Sequence, residues 1–129
     1  MRVGRKILIV EDQSVIAIDL KRSLSERGYV VVGISDNSED AVNKADECRP
    51  DLILMDIMLN GEKSGIETAE LIKKKQNIPI IFLTALTDID TYSKALKTEP
   101  FKYLMKPIEM ESLETAIKKI FEDKDRNMV

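Results

Sequence analysis

Two stretches decide how this chain folds: Lys6-Ile7-Leu8-Ile9-Val10-Glu11-Asp12 and Asp51-Leu52-Ile53-Leu54-Met55-Asp56. Each is an unbroken apolar run that stops abruptly in acid. Continuous rather than alternating apolarity marks a strand covered on both faces, and hence a parallel sheet. Three further runs, at residues 29–34, 80–83 and 103–105, read the same way. Helical periodicity fills the gaps between them. The first helix is expected from about residue 13 to 27, with Ile16, Leu20 and Leu24 spaced by four and Gly28 as its stop. The second starts near Asn37 or Ser38, either a good N-cap, and buries Ala41, Val42 and Ala45. The third starts near Ser64 and carries Ile66, Ala69 and Ile72 on one side. The fourth, residues 89–97, is short, and Pro100 bars its extension. The last, about 110–121, sets Leu113, Ala116, Ile117, Ile120 and Phe121 on one face. Strand and helix alternating five times predict a doubly wound α/β fold.

In such sheets the functional site lies at the carboxyl ends of the strands. Glu11, Asp12, Asp56, Thr84 and Lys106 all fall there. If the first and third strands are parallel neighbours, three carboxylates converge on one point and repel one another unless a cation sits among them. Hard oxygen ligands with no His or Cys nearby favour Mg²⁺, or Mn²⁺ in its place. Taken singly, each residue has a plainer reading. Glu11-Asp12 fits a solvated helix N-terminus, favoured by the helix dipole. Thr84 fits an ordinary strand end, Lys106 a surface lysine before a turn, and Tyr103 a strand aromatic. Their order and spacing together carry the functional reading.

Size and composition narrow the classes further. A chain of 129 residues suits one domain, 1–129, with a core at about 6–121 and a polar tail, 122–129, expected to fray. A net charge of −3 gives no electrostatic reason to bind nucleic acid. The single Cys48 cannot form an intrachain disulfide and suits a reducing, cytoplasmic setting, as a small filler near a helix end. No apolar stretch approaches the roughly 20 residues of a membrane span, and the N-terminal apolar run is too short for a signal peptide. The chain has no histidine, so His-based acid–base catalysis and His metal ligation are excluded. Any phosphohistidine in its chemistry belongs to another protein.

These residues resemble the receiver domain of two-component response regulators. The resemblance rests on the acidic pair ending Leu8-Ile9-Val10-Glu11-Asp12, on Asp56, on Thr84-Ala85 after the fourth strand, and on Lys106-Pro107 after the fifth. It runs from about Lys6 to about Phe121. It implies the flavodoxin-like (βα)5 fold of chemotaxis regulators, with strand order 2-1-3-4-5. It implies that Asp56 accepts a phosphoryl group from the phosphohistidine of a histidine kinase or phosphotransfer protein. Asp12 and Asp56 would hold the divalent ion directly, Glu11 through a water, with the Met58 backbone carbonyl as the third protein ligand. Thr84 would bond a phosphoryl oxygen, Ala85 leaves room for the group, and Lys106 supplies a compact positive charge. Pro107 in this motif usually follows a cis bond that aims Lys106 inward. Thr84 and Tyr103 match the family's switch pair. In that scheme Thr84 moves toward the phosphoryl group and vacates space for the ring, which changes the face formed by the fourth helix, fifth strand and fifth helix. The expected kinase contacts are Gln13, Ile16, Pro107 and Ile108, because the first helix, with Val15, Ile16, Ala17, Ile18, Leu20 and Leu24, has more apolar residues than one core stripe needs. The protein is expected to be a monomer or a phosphorylation-dependent dimer, without membrane or nucleic-acid partners.

The chain departs from the pattern in two places. The loop at 59–65 is one residue longer than the commonest form and lacks the usual proline, leaving Gly61 and Gly65 to supply tight turns. Residues 98–101 lack the usual glycine before the last strand. Too few residues follow Phe121 for a DNA-binding module, so the chain reads as a stand-alone regulator or a receiver excised from a longer protein. Three rivals remain. A nucleotide-binding protein would need a glycine-rich phosphate loop where Glu11-Asp12-Gln13-Ser14 stands. A phosphohydrolase with an aspartyl nucleophile would commonly carry an acid at Met58, which cannot donate a proton. A receiver-like scaffold that is never phosphorylated would not need all the chemical residues intact. The expected role is a signalling switch with self-catalysed phosphotransfer and hydrolysis, not a metabolic enzyme.

Overall fold

The computed structural model describes residues 4–59, 63–85 and 102–127. The apolar runs form strands β1 (Lys6–Val10), β2 (Val30–Ser35), β3 (Leu52–Asp56), β4 (Ile80–Thr84) and β5 (Lys102–Met105). All neighbouring pairs are parallel, in the order β2-β1-β3-β4-β5. Every residue of β3 and β4 is buried. Side chains alternate across the pleat. Ile7, Ile9, Leu52, Leu54, Ile81 and Leu83 meet helices α1 (Ser14–Glu26) and α4 (Met110–Asn127) on one face. Leu8, Val10, Ile53, Met55, Ile80 and Phe82 meet α2 (Ser38–Cys48) and α3 (Gly65–Lys73) on the other. The result is a three-layer sandwich that sets every strand's carboxyl end at one edge.

β2 departs from the both-faces-covered reading. It is the sheet edge, Val30 is 46% exposed, and the next four residues are only partly buried. The register jumps from Ile7↔Val31 to Leu8↔Gly33, which leaves Val32 as a bulge.

Local signals set the helix ends. Gly28 takes φ +92° after α1 and closes it with an N–H to Ser25 O at 3.1 Å. The Asn37 side chain accepts from Asp40 N at 2.9 Å and caps α2. Ser64 and Glu67 form a reciprocal capping box at α3.

The C-terminal helix runs past its expected end at about residue 121, since α4 continues to Asn127. Arg5 explains the extra length. Its guanidinium lies 4.7 Å from the Phe121 ring centroid and donates to Asp125 Oδ1 at 2.5 Å, with both charged side chains largely buried. The helical pattern at 89–97 lies outside the described residues, as do Gly61 and Pro100.

Candidate functional site

β1 and β3 run side by side, with Val10 opposite Met55, so the acids that follow come together. Carboxylate oxygens of Glu11, Asp12 and Asp56 lie within 4.8 Å of one another. Glu11 and Asp56 are 1% and 3% exposed, and Asp12 is half-buried. Backbone bonds tie the strand ends into one frame. Glu11 N donates to Ser35 O at 2.9 Å, Ile57 N to Leu83 O at 3.2 Å, and Lys106 N to Thr84 O at 2.8 Å.

Within that frame the Lys106 ammonium bridges two acids. Its Nζ is 2.7 Å from Glu11 Oε1 and 2.9 Å from Asp56 Oδ2. Met58 N donates to Asp56 Oδ1 at 3.0 Å, so Asp56 is held at both oxygens. Gln13 N donates to Glu11 Oε2 at 3.2 Å. The Lys106–Pro107 bond is cis, as expected. Burial pushes the Glu11 carboxyl up to about 7; a hydrogen bond with Asp56 adds to the rise, and Lys106 and the Gln13 N–H pull against it. Burial alone would push Lys106 down, but its hydrogen bonds to Glu11 and Asp56 outweigh this and raise it.

These residues fit a hard divalent cation. Three carboxylates cluster around one ammonium, so a further cation would relieve their mutual repulsion. All the side-chain donors are oxygens, which suits Mg²⁺ or Mn²⁺.

Thr84 ends β4 and is buried; Ala85 beside it is exposed. Tyr103 lies opposite Phe82 across β4 and β5, and the two rings stack with centroids 5.8 Å apart and 24° between planes. The Tyr103 ring therefore already packs inward, against the core on the α2–α3 face.

Of the expected kinase contacts, Ile16, Pro107 and Ile108 line an apolar groove of about 510 Å³ between α1 and the turn after β5, and Gln13 does not. Gln13 and Pro107 are exposed, whereas Ile16 and Ile108 are half-buried and pack on the core. The exposed apolar residues of the groove are Val15, at 81%, and Ile18, at 62%. Their signal was in the sequence, because they lie off the stripe formed by Ala17, Leu20 and Leu24. Gly65 differs from its expected turn role. It is the first residue of α3, and its φ is not positive.

Comparison with known proteins identifies the family. The family model described as "Response regulator receiver domain" matches residues 7–118. The transcriptional regulatory protein PdtaR of Mycobacterium tuberculosis is 36% identical over 115 residues, covering 89% of this chain and 56% of that protein. The chemotaxis protein CheY of Thermotoga maritima is 30% identical over 119 residues, covering 92% of this chain and 98% of CheY. The chain spans about half the length of several curated relatives it matches. Among solved structures, the signal receiver domain of a modulated diguanylate cyclase from Desulfovibrio desulfuricans G20 superposes with a TM-score of 0.90 at 40% identity, covering 96% of this chain and 98% of that one. With a family match over most of its length and the acid cluster, threonine and lysine at matching strand ends, the chain belongs to the response regulator receiver domain family.

Proposed function

We propose that Asp56 is the phosphoryl acceptor of a signalling switch, in a reaction that requires a divalent ion. The observation that carries this reading is the buried Asp56 carboxylate, set beside Glu11 and Asp12 and gripped by Lys106 Nζ at 2.9 Å. The donor is a phosphohistidine on a partner kinase or phosphotransfer protein. Its N–P bond breaks, an Asp56 oxygen forms the new O–P bond, and the imidazole leaves with the nitrogen's electron pair. Mg²⁺ held by Asp12, Asp56 and the Met58 carbonyl, with Glu11 through water, would neutralise phosphoryl oxygens in that transfer. Lys106 supplies the protein's own cation to those oxygens, and Thr84 supplies a hydroxyl. The Met58 N–H orients the nucleophile. Incubation with acetyl phosphate and Mg²⁺, followed by intact-mass analysis and site mapping, should show one added phosphoryl group, on Asp56. A chain that stays unmodified would support the scaffold alternative. A phosphohydrolase role is disfavoured, because Met58 offers no side-chain proton.

Docking on the kinase is assigned to the groove between α1 and the turn after β5. Ile16, Pro107 and Ile108 line it, Gln13 precedes α1 beside it in the chain, and Val15 and Ile18 present its exposed apolar surface. Substituting Val15 and Ile18 by Ser should slow transfer from the cognate kinase by about tenfold or more. The rate with acetyl phosphate should stay within about twofold, since no partner surface is needed. Equal slowing with both donors would place these residues in the fold rather than the contact.

Output is assigned to the Thr84–Tyr103 pair and the face formed by the expected fourth helix, β5 and the C-terminal helix α4. Because the Tyr103 ring already packs on Phe82, phosphorylation should stabilise this inward arrangement rather than create it. Hydrogen exchange with and without beryllofluoride and Mg²⁺ should show raised protection across 86–103. A response confined to the segment after Asp56 would exclude Tyr103 from the switch.

A further inference from the structure

Gly65 packs on the backbone of the proposed acceptor itself. A Cβ built on Gly65 would lie 2.0 Å from the Asp56 carbonyl oxygen, 2.9 Å from the Asp56 carbonyl carbon and 2.9 Å from Ile57 Cα. All three are main-chain atoms, so no rotamer change can make room. The φ of Gly65 is not positive, so backbone conformation does not demand glycine here. Space does. The contact is reinforced from the glycine's side, where Gly65 N donates to Ile57 O at 2.8 Å. The capping box of Ser64 and Glu67 fixes the same turn of α3. The start of α3 thus clamps the peptide that links Asp56 to Ile57. The next residue, Met58, aims its N–H at Asp56 Oδ1.

We propose that Gly65 is a positioning residue for the phosphoryl acceptor: its missing side chain lets α3 seat against the Asp56–Ile57 peptide and so sets the Asp56 carboxylate and the Met58 backbone relative to the metal site. The proposal rests on the reading of Asp56 as acceptor. Any side chain at position 65 must push the end of β3 away from α3, and the displaced atoms are those that orient the nucleophile. Displacement on the scale of 1 Å in a phosphoryl-transfer site is worth on the order of 100-fold in rate. A general packing role would instead lower stability and leave the chemistry of the folded fraction alone.

The test compares Gly65→Ala with Gly33→Ala in acetyl phosphate uptake, in the Mg²⁺-induced rise of the melting temperature, and in the melting temperature without metal. Gly33 is a matched control far along the chain. A Cβ there would meet the Lys44 side chain at 3.3 Å and the Leu8 side chain at 3.4 Å, contacts that flexible side chains can relax. Gly65→Ala should lose on the order of 100-fold in phosphorylation rate per folded molecule and most of the Mg²⁺-induced shift. Gly33→Ala should keep both within about twofold while losing some stability. If Gly65→Ala is unfolded in buffer, the measurements are made in trimethylamine N-oxide, which favours the folded state. Wild-type rate and Mg²⁺ response in folded Gly65→Ala would overturn the proposal, and so would failure to fold under any condition, which marks a plain packing role. Wild-type protein measured in parallel separates the two readings. If it takes up no phosphoryl group, the acceptor assignment has failed rather than the role of Gly65.

Discussion

Asp56→Asn should take up no phosphoryl group from acetyl phosphate or from a kinase, and it should do so as a folded protein. The carboxamide keeps the shape of the side chain. Its oxygen can still accept the Met58 N–H that Asp56 Oδ1 accepts at 3.0 Å, and Lys106 keeps Glu11 Oε1 at 2.7 Å. No buried cation is left unpaired, so the large penalty of breaking a buried ion pair does not arise. The chemistry is lost outright, because an amide oxygen cannot form a stable acyl phosphate. Incorporation should fall to background at donor concentrations that saturate the wild type, with melting temperature and near-ultraviolet circular dichroism preserved. Phosphorylation of Asp56→Asn at the wild-type level would sink the assignment of Asp56 and with it the proposed function.

Asp12→Ala should uncouple the metal from the fold. Wild-type protein at Mg²⁺ tenfold above its Kd gains about 1.4 kcal/mol of stability by linkage. For a domain of this size that corresponds to about 4–5 °C in melting temperature. Asp12→Ala, which lacks one of the proposed direct carboxylate ligands, should show less than about 1 °C under the same conditions and should phosphorylate slowly. Without metal it should be at least as stable as wild type, because one of three mutually repelling acids is gone while Lys106 still bridges the other two. An undiminished Mg²⁺ shift in Asp12→Ala would show that the ion sits elsewhere. Added positive charge is what this cluster lacks, so Mg²⁺ should stabilise the wild type rather than leave it unchanged.

The sequence by itself determined the parallel sheet, the approximate helix starts and the acids at the strand ends. Each follows from neighbours along the chain. Unbroken apolar runs such as that of β3 favour cover on both faces, Ser64 suits a helix start, and the acids follow directly on their strands. The resemblance in the motif residues supplied the strand order and the roles of Thr84 and Lys106. Tertiary structure decided what depends on partners far away in the chain. α4 outlasts its own apolar pattern because Arg5, 120 residues earlier, pairs with Asp125. An edge position leaves β2 half-covered although its residues read like those of a central strand. On α1, periodicity counted too many apolar residues, but only packing showed that Ile16 leans on the core while Val15 and Ile18 face out. Gly65 looked like a turn glycine until α3 was seen to press it against Asp56. Periodicity and capping report the forces a residue feels from its own segment; which distant backbone or charge fills the space beside it is fixed only when the layers close.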